Sequence, residues 1–435
     1  VRTLSYNYFM AINTKNKKTT IAILGAGFGG LHLARILSRN PSYKVILIDQ
    51  RDFHIYYPVL YEVASSIPYY SEESLRLADS FYIPSLLKGY NVTYVQGYIK
   101  KVDRKTHTVD TSVGPIRYDH IVMALGSDVN YYCIPGLKEH SFPLKSWNGI
   151  LSFRKKMKDL VELAVRIQHD KKKNASQLPI TIVVGGGGFS GVELACELAV
   201  TLNTQAHLFK IHKNTLRLRL IEAGPSLLAG LPEKVGERTR LRLQRLGVEV
   251  TLKSPIAKVD DTYMYMKSEG KRETKDPYNL LIWTGGIEGP RMAKDMGCAL
   301  DKSGRFMSDQ FLRVTGETTV WAIGDNACFI EQGQERPLPS QAYFALQQAE
   351  YAAVNIRRAI NGGMLLPFVP KKKGFVVPLG GKYAIAYISE KIMIEGFLGW
   401  VARKLVDLNY FRMLVGWRRG IIFWCKELVI FSAND

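Results

Sequence analysis

The sequence predicts an α/β protein made of two like nucleotide-binding halves and closed by amphipathic helices, and three observations predict it. Two glycine-rich runs of one kind, GAGFGG at Gly25 to Gly30 and GGGFSG at Gly186 to Gly191, lie about 160 residues apart, each directly after an apolar strand. Each has the spacing that turns a strand tightly into a helix and sets backbone amides at the helix N-terminus, where a pyrophosphate binds. Two later apolar segments, HIVMALGS and LLIWTGG, repeat one another in position and pattern, so the chain reads as an internal duplication. The C-terminal stretch is basic, aromatic and apolar at helical spacing.

Taken in order, a strand, the glycine turn and a helix occupy Ile21 to Leu37, and a second strand runs from Lys44 to Asp49. A ribose is read at the end of that second strand, and Asp49 stands there. Glu222, closing LRLRLIE, takes the same place after the second fingerprint. Either carboxylate accepts hydrogen bonds from ribose hydroxyls and repels a 2′-phosphate, so Glu222 predicts NADH over NADPH. Arg51 beside Asp49 softens the discrimination at the first site, and an ordinary charged strand end is the plainer reading of each acid. Further strands fall near Asn91 to Val95 and His107 to Thr111, and HIVMALGS is a buried strand whose Gly126 lets backbone approach a ligand. A charged helix starts at about Trp147, the lysine-rich HDKKKNASQ marks a boundary, and ITIVV opens the second half, which closes at Leu280 to Gly286. VWAIGDN then ends a strand in Gly324 and Asp325, a carboxylate at the sheet's C-terminal edge or else a plain turn.

The fold class expected is therefore α/β with two Rossmann-like dinucleotide-binding domains, the first interrupted by the second. The boundaries read as 1–18 for a disordered N-terminal segment, 19–145 and 291–370 for the two parts of the first domain, 146–290 for the second and 371–435 for a membrane-association region. With 59 Lys and Arg against 39 Asp and Glu, the net charge of +20 calls for an acidic partner, a nucleic acid or an anionic membrane. Cys133, Cys196, Cys298, Cys328 and Cys425 have neither metal-ligand nor redox-pair spacing, so no metal, no structural disulfide and a reducing compartment are expected. The first twenty residues hold no acid and no secretory apolar run; Met10 reads as the start, with a basic, hydroxylated organellar presequence as the competing reading.

With these motifs in place the chain, from about Thr20 to Glu427, resembles the two-dinucleotide-binding flavoproteins and, among them, the type II NADH:quinone oxidoreductases. The resemblance implies FAD on Gly25, Gly27, Gly29, Gly30, Asp49, Gln50, Arg51, Pro58 and Gly126, with Gly324 and Asp325 returning to the same cofactor. It implies NADH on Gly186, Gly188, Phe189, Gly191, Glu193, Glu222 and Gly285. The segment DFHIYYPVLYEVASS is similar to the family's, including His54, Pro58 and Tyr61, with Tyr57 in place of its usual glutamine. Glu193 is expected beside nicotinamide and flavin, positioning the one and assisting proton movement toward reduced quinone; a solvated first-turn glutamate is the bland alternative. The helix LPSQAYFALQQAEYAAVNI resembles the family's quinone helix, which places Ala342, Tyr343, Ala345 and Gln347 at the quinone. Tyr343 replaces a glutamine there, and Gln341 cannot substitute without a phase shift of about 200°.

From Lys371 onward there are 11 basic and 5 acidic residues, and Trp400, Trp417 and Trp424 fall in this tail. Arg403, Lys404, Asp407, Arg412, Arg418 and Arg419 interrupt it too often for a span of about 20 apolar residues. Leu398, Val401, Leu405 and Leu408 recur at helical spacing with charges on other faces, as in a helix lying on anionic lipid. Packing on the protein's own core, or at a dimer interface, is the alternative, and no basic recognition motif supports nucleic acid. The activity expected is hydride transfer from NADH to FAD and two electrons onward to a membrane quinone, without proton pumping. The setting expected is a homodimer peripheral to the cytoplasmic face of a cell membrane, or the matrix face of a mitochondrial one. A sulfide:quinone oxidoreductase, using Cys133 and Cys328, and a slow NADH-sensing flavoprotein are the rivals.

Overall fold

In the computed structural model the described residues are 18–66, 71–169, 179–212, 214–267, 270 and 272–431. The expected disordered leader and most of the lysine-rich boundary lie outside them. The principal elements in chain order are β1 (Thr19–Leu24), α1 (Phe28–Leu37), β2 (Tyr43–Asp49), α2 (Leu60–Ser65), β3 (Val92–Gln96), β4 (His120–Met123), β5 (Phe142–Pro143) and α3 (Trp147–His169). They continue with β6 (Ile180–Gly185), α4 (Phe189–Leu208), β7 (Leu216–Ile221), β8 (Glu249–Thr251), β9 (Leu280–Trp283), β10 (Val320–Ala322) and α5 (Ala342–Ile360). The tail forms β11 (Phe375–Pro378), β12 (Ala384–Ser389), β13 (Ile392–Gly396), α6 (Phe397–Val415) and α7 (Trp417–Phe431).

The chain divides into two compact units. The first takes residues up to 54, 81–128 and 287–371, and the second takes 55–80, 129–286 and 372–435. The first unit's sheet has the order β10-β4-β1-β2-β3, and the second's has β5-β9-β6-β7-β8. All pairings in both are parallel. Both sheets therefore carry the strand after the glycine helix on one side of the glycine strand and the later apolar strand on the other. This is the Rossmann-like arrangement, present twice, and its switch point opens at the ends of β1 and β6.

Burial explains why these strands read as unbroken apolar runs. Ile21 to Leu24 and every residue of β6 are buried, as strands covered on both faces must be. The first core gathers Ala22, Leu24, Ile48, Ile121, Met123 and Ala322 around that sheet. In the second unit Val183, Ile221, Leu281 and Trp283 pack with Val259 and Met264.

The tail departs from its expected character in two ways. It opens with a three-stranded antiparallel sheet, β11-β12-β13, paired through Phe375 with Tyr387 and Ala386 with Ile394. The alternation in FVVP and AIAYIS is short, which hid these strands in the sequence. The helix α6 is also turned the other way round from a helix whose charges face solvent. Arg403, Lys404 and Asp407 are buried, while Leu398 is 67% exposed and Leu405 54% exposed. Ionic partners within the second unit make this inversion possible, as described below. Among the described residues no helix is long and apolar enough to cross a membrane.

Candidate functional site

In each unit the loop after the first strand is built on glycine because a side chain has nowhere to go. Gly25 and Gly186 adopt φ of +104° and +111°, and a Cβ on either would collide with the backbone of Ala124 or of Gly285. A Cβ on Gly30 or Gly191 would strike the carbonyl of Gly25 or Gly186, so the third glycine lets the helix press on its own strand. Gly27 and Gly188, by contrast, face open space. They are the N-caps of α1 and α4, which carry no side-chain cap and no acid in the first turn. Each helix thus leaves its first N–H groups and positive end without a side-chain partner beside an open glycine, an arrangement that suits an anion.

The acidic strand ends repeat the same geometry. Asp49 accepts hydrogen bonds from the Ala26 N–H at 2.7 Å and the Arg51 N–H at 2.9 Å. Glu222 accepts them from the Gly187 N–H at 2.5 Å and the Gly224 N–H at 2.6 Å. In both units the carboxylate ties the middle of the glycine loop to the residue two places beyond itself. A carboxylate accepts more hydrogen bonds than these two, so each keeps acceptor capacity beyond its loop. Arg51 lies 3.5 Å from Asp49. Gln50 is exposed at the surface.

Distant segments return to the first loop within its unit. Gly324, at φ +75°, donates its N–H to Gln348 Oε1 at 2.7 Å, and the Ser127 hydroxyl donates to Asp325 Oδ2 at 3.1 Å. Gly126 donates to Asn326 Oδ1 at 3.2 Å, and the Asn326 amide donates to the Met123 carbonyl at 2.9 Å. A cleft beside these groups is lined by Gly324, Asp325, Gln341, Phe344, Ala345 and Gln348. Gly29 sets α1 against Ile323 and the Ala345 carbonyl. His54 Nδ1 lies 3.0 Å from the Ala26 carbonyl, and burial pushes its pKa down to about 4, so it is neutral. Gln348, Ser127 and Asn326 were missed in the sequence; their only signal was position beside a glycine or an acid already chosen.

On α5, Ala342 and Tyr343 are half-buried and Ala345 is buried. The Gln347 amide pairs with the backbone of Lys371, donating to its carbonyl at 3.2 Å and accepting its N–H at 2.8 Å. It is Gln348, one position on, that turns toward Gly324.

In the second unit Glu193 lies in α4. The residue is half-buried, yet its carboxyl sits in the desolvated part, and burial raises its pKa to about 8. Arg403 opposes that shift, while Glu62 and Asp407 add to it. These neighbours form a buried ionic cluster that the sequence did not disclose. Lys404 Nζ donates to Glu62 Oε1 at 3.1 Å and Glu427 Oε1 at 2.6 Å, and the Trp424 indole donates to the Lys404 carbonyl at 2.7 Å. Arg403 pairs with Asp407, which also accepts the Tyr56 hydroxyl, and Arg403 donates to the Pro58 carbonyl at 3.0 Å. Pro58 thereby belongs to the second unit's packing. Tyr56 stacks on Tyr410 with ring centroids 4.8 Å apart. Burial, opposed by Lys404, raises Glu427 to about 8.

The five cysteines are free. Cys328 is buried, and burial pushes its thiol up to about 11. Among the described residues no cluster could hold a metal ion.

Two loops of one geometry, each tied to a carboxylate at the end of the following strand, are the arrangement of a dinucleotide-dependent oxidoreductase. Residues 19–349 match the pyridine nucleotide-disulphide oxidoreductase family, and the chain belongs to it. The chain is 27% identical over 391 residues to a type II NADH:quinone oxidoreductase of Staphylococcus aureus, covering 89% of this chain and 94% of that protein. Its fold is similar to that of NDH2 from Plasmodium falciparum solved with NADH, at a TM-score of 0.78 and 19% identity over 94% of this chain and 98% of the other. It is also similar to that of the sulfide:quinone oxidoreductase of Aquifex aeolicus, at a TM-score of 0.74 and 17% identity over 92% of each chain.

Proposed function

We propose that this chain is a type II NADH:quinone oxidoreductase, carrying electrons from NADH through FAD to a membrane quinone without proton pumping. The observation that carries the reading is the paired site: two loops of one geometry, each tied to a carboxylate at the end of the next strand, a group that disfavours a 2′-phosphate. The first loop, with Asp49, Gly126, Gly324 and Asp325, holds FAD, and the second, with Glu222, holds NADH. Bound FAD supplies the two-electron chemistry that joins NADH oxidation to quinone reduction. The chain's own work is positional and protic. The α1 and α4 N-termini hold pyrophosphates, and Asp49 and Glu222 orient the riboses. Glu193 holds a proton up to about pH 8 and gives it up toward the reduced quinone. Ala342 and Ala345 leave room for a flat ring, and Tyr343 supplies an aromatic wall.

Stopped-flow absorbance of FAD-loaded protein tests the proposal. NADH added anaerobically is expected to bleach the flavin band rapidly, and a soluble quinone to restore it. Bleaching by sulfide and not by NADH would overturn it, and bleaching without turnover would favour the sensing flavoprotein.

The tail is proposed as the membrane contact. Leu398, Leu405, Trp417, Ile421, Ile422 and Val429 are exposed on the α6–α7 hairpin, with Arg412, Arg418, Arg419 and Lys426 exposed among them. An apolar face rimmed by cations suits the interface of an anionic bilayer, at the cytoplasmic or matrix surface. The homodimer expected from the sequence would compete for the same side chains. In vesicle sedimentation the protein is expected to bind phosphatidylglycerol-containing vesicles better than neutral ones and to lose binding in a Trp417→Glu/Ile421→Glu variant. A dimer-to-monomer change in that variant, with vesicle binding unchanged, would assign the face to self-association instead.

A further inference from the structure

The sharp turn that enters the second unit at residues 130–134 is strained and riveted to the end of β9. Tyr132 and Cys133 both adopt left-handed backbone, with φ of 50° and 53°. Non-glycine residues hold that conformation in succession only where the surroundings impose it. Asn130 imposes it from three sides. Its Oδ1 accepts the Tyr132 N–H at 2.7 Å, its carbonyl accepts the Trp283 indole N–H at 2.8 Å, and its N–H donates to the Gly286 carbonyl at 3.1 Å. The outcome is that Tyr132, 57% exposed, lies over the turn that ends β9. Its hydroxyl donates to the Gly285 carbonyl at 3.3 Å, and its ring fills the space where a Cβ of Gly286 would be. Gly285 in turn abuts Gly186, and the Thr284 hydroxyl donates to the Gly185 carbonyl at 2.9 Å. One residue thus separates the phenol from the nucleotide loop.

Strand order says which part of the ligand comes here. Glu222, at the end of β7, reads the adenosine ribose on one side of β6. The pyrophosphate lies on the α4 N-terminus, so the remaining half of the dinucleotide crosses toward β9, on the other side of β6.

We propose that Tyr132 is a positioning residue for the nicotinamide half of the dinucleotide, its ring packing against that half over the end of β9. The inference rests on the assignment of the second loop to NADH. The phenol is held by its turn rather than by a long flexible stem, so the ring is offered at small cost in ordering. Without a Cβ at 285 or 286, the rings of Trp283 and Tyr132 close directly on the strand end, which fixes where the phenol stands. Ring contact of this kind changes affinity about three- to tenfold.

The test is calorimetric titration of the oxidised, FAD-loaded protein with NAD⁺ and, separately, with AMP, which carries only the adenosine half. Tyr132→Ala is expected to weaken NAD⁺ binding about three- to tenfold and leave AMP binding unchanged, which also shows that the fold is intact. Tyr132→Phe, which keeps the ring, is expected to bind NAD⁺ as the wild type does. Equal loss for NAD⁺ and AMP in Tyr132→Ala, or no loss for either, overturns the role of Tyr132. A wild-type protein that binds neither ligand overturns the underlying NADH assignment instead, and the two failures are thereby told apart.

Discussion

Replacing Lys404 by methionine is expected to destabilise the second unit by about 3–5 kcal/mol, the cost of leaving buried carboxylates without their cation. Lys404 is 5% exposed as a side chain and bridges Glu62 and Glu427, themselves 9% and 0% exposed. Methionine keeps much of the volume of the stem but none of the charge. The triple variant Lys404→Met/Glu62→Gln/Glu427→Gln removes all three charges together and is expected to recover most of the loss, because the cost comes from the unpaired charge and not from the missing bridge. Calorimetric unfolding at two pH values adds a second check. Burial raises Glu427 from 4.5 to about 8, so its folded form binds a proton that the unfolded chain releases. The stability that this contributes is fully present below about pH 4.5 and is lost as pH rises through about 8. Wild-type stability should therefore decline from pH 6 to pH 9 through this group. The Lys404→Met penalty should be smaller at pH 5.5, where the carboxyl carries its own proton, than at pH 8.5. An equal penalty at both would show that packing, and not charge, accounts for it.

The Glu193→Gln substitution is expected to lower the rate of flavin reoxidation by quinone by about 10²-fold or more, the usual scale for a positioned proton donor. Bleaching by NADH should change less, because hydride transfer needs no proton from this side chain. The pH profile carries the sign. With the carboxyl raised to about 8 by burial, the donor form is present below that value and lost above it. Wild-type quinone reduction should fall as pH rises through about 8, and the variant should lack this limb. Glu193→Asp keeps a titrating group and should keep a limb with an altered midpoint. A Glu193→Gln enzyme that retains both the wild-type rate and the limb would remove the assigned role.

The nucleotide loops were legible because each is a local device. Gly25, Gly27 and Gly30 lie within six residues, and their spacing is dictated by one turn and one helix start; Asp49 follows at the end of the very next strand. The duplication was legible for the same reason, since strands buried on both faces must be apolar throughout. Gln347 and Gln348 show where this reading loses resolution. Adjacent helix positions differ by about 100° in direction, and only packing against residue 324 on one side and Lys371 on the other decides which glutamine meets which. The cluster of Glu62, Arg403, Lys404, Asp407 and Glu427 shows a larger gap. Charged residues in a helix are ordinarily solvated, so Arg403, Lys404 and Asp407 looked like an outer face. Their partners include a carboxylate 342 positions away.

The sequence by itself therefore determined the class of chain, the two glycine loops, the acids that close the strands after them and the helices that follow, because those depend on contacts within a few dozen residues. The tertiary structure decided which way α6 faces, which glutamine of α5 turns inward and why Tyr132 is held in left-handed backbone at the end of β9. Each of these depends on a partner brought near only by folding, and a buried charge is affordable only where that partner stands.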